Sequence, residues 1–541
     1  MQSSNNGNKK KLVLNCWRHG HWPPAWFRIS IMGLLLLVIG STASPAFALS
    51  IVWQTEAAVS DVDGYMSSLS WSSQRSVAVS ANGRIHVVWT DMKPPPYPEM
   101  YMGVWYSYSD NGGNTWSASQ CISQPVYYGP QLLNYTNESP SVAVINPEQI
   151  NAMWDAVDEA YYEGFAFYDR SDDNGISWQH RAQWQYWAVE PPSGFNSLCS
   201  DGNNYLMFYD QQWVPQFMEY RLLNLYSTNS GENWQSASWH GWDNGNKSDE
   251  IPCTACDSND AGYLVWDTVD TLNHPVIMYG TTGGVEKQLV PYAGTGGRGG
   301  AFIESDLNGK LYVVWSDSRD GNNEIYFKKS TDRGVTWGSD MRVTSASGSS
   351  ESPVIVLGGQ GRIFLVWVDN RDGNKEIYFK CSENDGATWN PDTRLTYNIS
   401  PSDYPHIAVS PSKDAIYVAW NDDRDGQSEA YFKRGDIVIG VSESQHETEA
   451  AEQNVLKTDC SIFRDRVVIR ISNGNPGNAQ IYDLKGMKIK AYDIAQSTGQ
   501  RSAVISWDGT DHSGHKVPAG IYFVRFESKD CLITKKLILL R

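Results

Sequence analysis

Charge is scarce in this chain, and positive charge scarcer still. Only 19% of the 541 residues are Asp, Glu, Lys or Arg, and the formal net charge is −18. That lack of basic surface argues against nucleic acid or anionic lipid as the main partner. The eight cysteines are too few for a disulfide-stapled scaffold, and a chain of this length can build a core without staples. Long apolar runs are missing apart from Ile29–Gly40, which is too short to cross a bilayer comfortably. Lys9, Lys10, Lys11, Arg18 and Arg28 precede that run, and Ala46-Phe47-Ala48 follows it as a small-x-small cleavage site. Residues 1–48 are therefore expected to be a signal peptide. The mature chain is then more acidic, lies outside the cytoplasm and carries no stable membrane span.

Seven cysteines remain: Cys121, Cys199, Cys253, Cys256, Cys381, Cys460 and Cys531. The Cys253-x-x-Cys256 pair sits in a predicted strand, where residues three apart face opposite ways. No second Cys/His pair follows at metal spacing, so the cysteines are expected to be buried thiols.

What the chain has in abundance is aromatic residues, 23 Trp and 29 Tyr, a strand-forming composition. They recur with a period of about fifty residues. A hydrophobic strand ending in an aromatic residue and Asp appears as RIHVVWTD at Asp91 and QINAMWD at Asp155, then as NYLMFYD at Asp210 and GYLVWD at Asp267. KLYVVWSD at Asp317, RIFLVWVD at Asp369 and AIYVAWND at Asp422 complete the set. The anchors Trp89, Trp154, Tyr209, Trp266, Trp315, Trp367 and Trp420 are spaced 65, 55, 57, 49, 52 and 53 residues apart. Each unit reads as four short strands with polar turns, the blade of a propeller. The expected fold is all-β: a seven-bladed β-propeller over 49–436, an acidic linker over 437–454, and a small Ig-like β-sandwich over 455–541. The last unit lacks its fourth strand, and Ile51–Val59 is expected to supply it, which would remove exposed sheet edges.

Five units carry a turn Ser-x-Asp/Asn-x-Gly-x-x-Trp: Ser109–Trp116, Ser171–Trp178, Ser227–Trp234, Ser330–Trp337 and Ser382–Trp389. Asn111, Asp173, Asn229, Asp332 and Asn384 are expected to cap backbone amides, with Gly left-handed and Trp packed between sheets. These turns resemble the Asp-box, or bacterial neuraminidase repeat, of sialidase-like propellers, where the box is structural and lies opposite the active site. The resemblance implies architecture over 49–436. Sialidases have six blades, however, and open with an Arg-Ile-Pro motif that this chain lacks; Arg84-Ile85-His86 stands in the wrong strand. No tyrosine–glutamate nucleophile pair carries over, and no catalytic residue is assigned.

A second motif, W-x-D-x-R-D-G-x-x-E-x-Y-F-K, spans Trp315–Lys328, Trp367–Lys380 and Trp420–Lys433. Its Arg319, Arg371 and Arg424 evoke an anion-binding triad. Each has an adjacent Asp (Asp320, Asp372, Asp425) and a Glu five residues on (Glu324, Glu376, Glu429), which points instead to a local Arg–carboxylate brace. The seven strand-ending aspartates are expected to cap turns. No cofactor is expected, although a carboxylate ring leaves calcium open.

Function tends to lie where repeats depart from consensus. Units one to four depart most: an insert from Pro94 to Trp105; Asp158, Glu159, Tyr161, Tyr162 and Glu163; Gln211, Gln212, Trp213 and Tyr220; and His274. The candidate ligand-binding set is Asp155, Glu159, Tyr161, Tyr162, Glu163, Trp213 and His274, with aromatics to stack on sugars and carboxylates to bond hydroxyls.

Residues 455–541 are basic, with 14 basic against 8 acidic residues. Trp507-Asp508-Gly509-Thr510-Asp511, Gly514, Val517-Pro518-Ala519-Gly520 and Ile521-Tyr522-Phe523, ending in KKLILLR, resemble the type IX secretion C-terminal sorting domain, without its usual Pro-Asn-Pro opening. That resemblance implies passage through the type IX secretion machinery to a secreted or outer-membrane surface location. The expected role is binding of an extracellular glycan or glycoprotein without sialidase catalysis. A carbohydrate-active enzyme, either a sialidase-like glycoside hydrolase or a polysaccharide lyase, is the alternative.

Overall fold

In the computed structural model, the described residues are 47–539 except 62–65, 71–73, 94–100, 124–126, 129–130, 133–134, 146–147, 159–162, 188–195, 215–218, 241–249, 270–273, 291–299, 442–455, 459–461, 464–465, 472–476, 484–486, 495–502 and 529–531. The signal-peptide reading therefore lies almost wholly outside them. The described residues contain strands and turns and no helix. They fall into two compact units, Leu49–Val438 and one within Ile439–Arg541.

The described strands of the larger unit run as successive antiparallel meanders, the first two of them joined in one nine-stranded sheet. Sheet 1 is Val77–Val79, Ile85–Lys93, Tyr101–Ser109 and Gln120–Cys121, and sheet 2 is Tyr135–Ile145, Gln149–Asp158, Glu163–Ser171 and Gln179–Trp187. Sheet 3 runs Asn196–Ser200, Leu206–Val214, Glu219–Ser227 and Gln235–His240; sheet 4 runs Glu250–Cys256, Gly262–Val269, Pro275–Thr281 and Glu286–Val290. Sheet 5 is Phe302–Ser305, Leu311–Asp317, Glu324–Ser330 and Met341–Arg342; sheet 6 is Ser350–Gly359, Arg362–Asp369, Glu376–Ser382 and Thr393–Arg394. Sheet 7 has Ser402–Val409, Ala415–Asp422 and Glu429–Val441, and its fourth place is taken from the other end of the unit: Phe47–Trp53 and Ala57–Ala58 both pair with Glu429–Val441. Ala57 stands opposite Phe432 and Ala58 opposite Tyr431, the register that Met341 and Arg342 hold on Phe327 and Tyr326. A single parallel pairing, Thr136 with Met102, also joins sheets 1 and 2.

The aromatic-Asp strands explain this arrangement. Leu311–Asp317 and Ala415–Asp422 are buried at every position. A near-continuous apolar run, without the two-residue alternation, suits a strand covered on both faces. Both faces are covered because each sheet packs on its neighbours. Val88 and Tyr106 of sheet 1 share a core with Val142 and Trp154 of sheet 2. Tyr168 and Phe208 share a core between sheets 2 and 3, and Tyr209 and Trp266 share one between sheets 3 and 4. One larger core joins sheets 4 to 7. Val77 and Trp89 of sheet 1 share a core with Tyr417 and Phe432 of sheet 7. The first strands likewise neighbour one another in sequence order, with Ser402–Val409 lying against Val77–Val79.

The Ser-x-Asx-x-Gly-x-x-Trp turns act at these interfaces. In each, the Gly amide donates to the Ser Oγ at 2.8–2.9 Å. The Asx Oδ1 accepts the amide four residues on at 2.8–2.9 Å, as Asn111 does from Thr115 and Asn384 from Thr388. Asp173 and Asp332 gain a second bond from the Ser177 and Thr336 hydroxyls. The bonds centred on Thr336 hold the Asp332 carboxyl at about 2. Each Trp lies edge-on against an aromatic residue on the third strand of the preceding sheet, at 5.0–5.5 Å: Trp178 on Tyr106, Trp234 on Tyr168, Trp337 on Tyr279 and Trp389 on Phe327. Trp116 of sheet 1 meets Phe432 of sheet 7 in the same way. Sheet 7 has no such turn, yet Trp53 of its borrowed strand takes the same position on Phe379 of sheet 6.

One cysteine expectation needs correction. Cys199 and Cys256 form a disulfide between the first strands of sheets 3 and 4, whereas Cys121, Cys253 and Cys381 are thiols. The two cysteines lie 57 residues apart, and only the adjacency of the first strands of neighbouring sheets brings them together.

In the smaller unit, Leu456–Thr458, Val467–Ile471 and Ala503–Trp507 form one sheet. Ile462–Phe463, Leu532–Leu539, Gly520–Ser528, Gly477–Asp483 and Lys488–Ile494 form the other. Val467, Ile469 and Trp507 from the first share a core with Ile481, Tyr522, Val524 and Leu537 from the second.

Candidate functional site

The Trp turns join third strands to fourth, so the turns joining second strands to third occupy the opposite face. Among the described residues, the two halves of that opposite face are built differently.

Over sheets 5 to 7 the face is closed by braces. The second strands stop at Asp317, Asp369 and Asp422. Each aspartate accepts from the indole two residues back, at 2.9–3.0 Å, and from the arginine two residues on, with Nε at 2.8–2.9 Å. Each arginine also reaches the fourth-strand side: Arg319 to Asp340 (2.8 Å), Arg371 to Asp392 (2.7 Å) and Arg424 to Glu56 (2.6 Å). Each guanidinium lies over a tyrosine ring, Tyr326, Tyr378 or Tyr431, at 4.0–4.7 Å. Burial pushes the Asp369 carboxyl up, but the bonds from Arg371, Trp367 and Ser350 outweigh it and leave the group below its ordinary value.

A brace was expected, and its wiring differs from the expectation. The partner of each arginine is the aspartate before it. The adjacent Asp320, Asp372 and Asp425 instead accept from the Tyr326, Tyr378 and Tyr431 hydroxyls. The glutamates turn inward: Glu324 and Glu376 take Arg342 and Arg394, and also the Thr344 and Thr396 hydroxyls. In sheet 7 the borrowed segment supplies Ser60, which donates to Glu429 at 2.6 Å. The three arginines are thus satisfied internally, and the three ring aspartates are held by cations and indoles rather than arranged for a metal. Among the described residues no cluster of three or more His, Cys, Asp or Glu is placed to hold a metal ion.

Over sheets 1 to 4 the second strands do not stop at the aspartate. They continue to Lys93, Asp158, Val214 and Val269. At about 3.3 Å per residue these extensions carry the strands roughly 7–13 Å beyond their aspartates. Asp158 pairs in register with Glu163, and Trp213 with Tyr220.

Asp155 is buried at the base of its extension and accepts from Asn196 of sheet 3 at 2.8 Å. It therefore serves as a tie between sheets. Glu159, Tyr161 and Tyr162 lie outside the described residues, as do the side chains of Glu163 and Trp213. His274 is half-buried at the entry to Pro275–Thr281. The Pro94–Met100 part of the first insert also lies outside the described residues.

Two features went unread in the sequence. The first strands of sheets 2, 4, 6 and 7 open with Glu138-Ser139-Pro140, Glu250-Ile251-Pro252, Glu351-Ser352-Pro353 and Asp403-Tyr404-Pro405. The middle residue of each is left-handed, with φ between 48° and 56°, and the ladder shifts register there. An acid-x-Pro triplet repeated at the blade period is the signal that would have found these bulges.

The second feature lies among the first strands. Arg75 pairs with Glu304 of sheet 5 at 2.8 Å and donates to the carbonyls of Thr254 (3.0 Å) and Ile303 (3.2 Å). It thereby ties sheet 1 to sheets 4 and 5. Arg75, Glu304, the valines of the first two sheets and the Cys199–Cys256 disulfide line a cavity of about 220 Å³.

No protein-family model matches the chain, and no curated protein matches it. Among solved structures, an α-L-arabinanase of Penicillium chrysogenum complexed with arabinobiose is 12% identical, over 61% of this chain and 98% of its own, with a TM-score of 0.41. The GH93 α-L-arabinofuranosidase of Fusarium graminearum is 13% identical over 71% and 97%, with a TM-score of 0.42. A polysaccharide lyase of family PL25, an ulvan lyase, is 11% identical over 72% and 96%, with a TM-score of 0.45. Likenesses at this level carry nothing about the chemistry of this chain.

Proposed function

We propose that residues 49–436 are a seven-bladed β-propeller, exported from the cytoplasm, that engages an extracellular glycan on the face opposite the Trp turns. The observation that carries this reading is the asymmetry of that face. Sheets 5 to 7 present a level floor of internally neutralised braces. Sheets 1 to 4 raise hairpins beside it, with Trp213 and Tyr220 paired in one of them. A floor with a wall along one side suits an extended chain better than a compact metabolite, and aromatic residues in the wall suit the C–H faces of sugar rings. The inner disulfide supports the extracytoplasmic part of the reading. The two-sheet C-terminal unit, with Trp507 at its core, is proposed as the sorting module that takes the protein to the cell surface.

The test is to screen the purified protein against immobilised plant, algal and microbial polysaccharides. Binding that falls at least tenfold on Trp213→Ala supports the reading. Binding to none of them, or binding indifferent to every change in the sheet 1–4 hairpins, would refute it.

One observation favours a second reading, cleavage of the bound glycan. Asp158 and Glu163 are register partners in the sheet 2 hairpin. Like charges placed directly opposite cost stability, and paired carboxylates are the working groups of glycoside hydrolysis. New reducing ends that vanish on Glu163→Gln, with binding retained, would establish catalysis there.

A further inference from the structure

We infer that Tyr397, on the connection from sheet 6 to sheet 7, is a stacking platform for one sugar ring of the glycan. This rests on the reading above and gives the ligand an outlying subsite away from the sheet 1–4 wall. Among the side chains whose burial is described Tyr397 is the exposed aromatic: it is 70% exposed, while the other Tyr, Trp and Phe side chains in that set are buried or half-buried. Ile399 beside it is fully exposed. The connection crosses the same face as the braces, because it leaves the fourth strand at the end remote from the Trp turn.

The ring is held, not merely exposed. Its hydroxyl donates to the Arg394 carbonyl at 3.0 Å, so the polar end is already occupied. The Arg394 guanidinium backs the ring at 4.7 Å and is itself fixed by Glu376 (2.7 Å), Asp372 (3.0 Å) and the Thr396 carbonyl (2.6 Å). Asn374 donates to the carbonyls of Asn398 and Ser400 at 3.0 and 3.1 Å, pinning the loop. The Asn398 side chain reaches the Asp422–Arg424 pair. Backed on one side and immobilised, the ring leaves its other side open, which is the preorganised arrangement that a stacking contact needs.

The occupant follows from size and charge. One tyrosine and one isoleucine, bordered by Asn398, Ser400 and paired ions, are far smaller than the roughly 800 Å² per partner of a stable protein interface. They match the apolar face of a single pyranose or furanose. The neighbouring ions are paired among themselves, so the sugar ring here need carry no charge. Sheet 5 has Ser345 where sheet 6 has Tyr397, each directly after the threonine that binds the buried glutamate. The platform is thus an addition to the repeat, and the repeat folds without it.

The experiment measures binding of the purified full chain to whichever immobilised polysaccharide it holds most tightly, for wild type, Tyr397→Ala, Tyr397→Phe and Trp213→Ala. An unchanged melting temperature confirms that the substitutions leave the fold intact. The platform predicts about tenfold weaker binding for Tyr397→Ala, a loss of about 1.4 kcal/mol, with Tyr397→Phe within about twofold of wild type. Full binding by Tyr397→Ala while Trp213→Ala weakens it would overturn the platform and leave the glycan reading standing. Equal losses for Ala and Phe would assign the effect to the hydroxyl and overturn stacking. A changed sedimentation coefficient for Tyr397→Ala would put a second copy of the chain on the ring and overturn it. Wild-type binding to no polysaccharide would overturn both readings.

Discussion

Replacing Trp53 by alanine tests whether the N-terminal segment is structural in sheet 7. Trp53 is half-buried and stands edge-on to Phe379 at 5.0 Å, with ring planes at 77°. A fully buried Trp→Ala change costs about 3–5 kcal/mol. Half burial lowers the area term, and the edge contact contributes about 0.5–1.5 kcal/mol of its own. The expected loss is about 2–3 kcal/mol, read from the urea midpoint by circular dichroism. Trp389 supplies the internal control: it is half-buried against Phe327 at 5.5 Å and 76°, in a sheet whose four strands are continuous in sequence. If the borrowed strand is an equal member of its sheet, Trp53→Ala and Trp389→Ala cost the same within about 0.5 kcal/mol, and a double-mutant cycle with Phe379→Ala shows a coupling near the edge-contact value. A Trp53→Ala loss below about 0.5 kcal/mol, beside a Trp389→Ala loss of 2–3, would show that the strand merely rests on sheet 7.

Three further outcomes are expected. His406 of sheet 7 lies 3.0 Å from the carbonyls of both Ser70 and Gln74, and burial pushes its imidazole down from 6.5 to about 4; His86 is pushed down by burial and by Arg84 to about 3. The unfolded chain therefore binds these protons first, so stability is full above pH 6.5 and falls as pH drops toward 4, by at most about 1.4 kcal/mol per pH unit for each histidine. Replacing His406 by Gln should flatten that slope between pH 6.5 and 4.5, and an unchanged slope would refute the assignment. Reducing Cys199–Cys256, which closes a separation of 57 residues, should lower stability by about 2–4 kcal/mol; equal urea midpoints with and without reductant would contradict it. Gly386→Ala should cost about 2–4 kcal/mol, because φ is +79° and a new Cβ would lie 2.4 Å from the Phe327 ring. Gly373→Ala, with φ +105° and open space around it, should cost only the backbone share, about 1 kcal/mol, and equal losses at the two glycines would contradict the packing account.

The strand order was legible because each sheet repeats one pattern. The aromatic-Asp strand marks the buried second position, and the Trp turn marks the passage from third strand to fourth. Even the borrowed strand could be read, since WQTEAAVS resembles MRVTSAS and TRLTYNIS. What sequence order concealed were the relations between sheets. Trp53 does for sheet 7 what Trp389 does for sheet 6, yet no Ser-x-Asx-x-Gly turn precedes it to announce the role. Cys199 and Cys256 gave no spacing signal because they meet only where inner strands of adjacent sheets run side by side. The arginine braces were half legible for the same reason. Nearness along the chain favoured Asp320 and Glu324 as partners of Arg319, but a strand alternates its faces, and the turn folds the arginine back over Asp317 while Tyr326 takes Asp320. Tyr397 shows the converse case. It stands in the most regular part of the molecule, where a repeat is expected to be structural. A regular scaffold nevertheless has solvent-facing positions that the fold does not constrain, and Ser345 in the equivalent place of sheet 5 shows that this is one of them. A large aromatic residue held at such a position is what the stacking proposal accounts for, and the Tyr397→Ala and Tyr397→Phe pair separates that role from a local structural one.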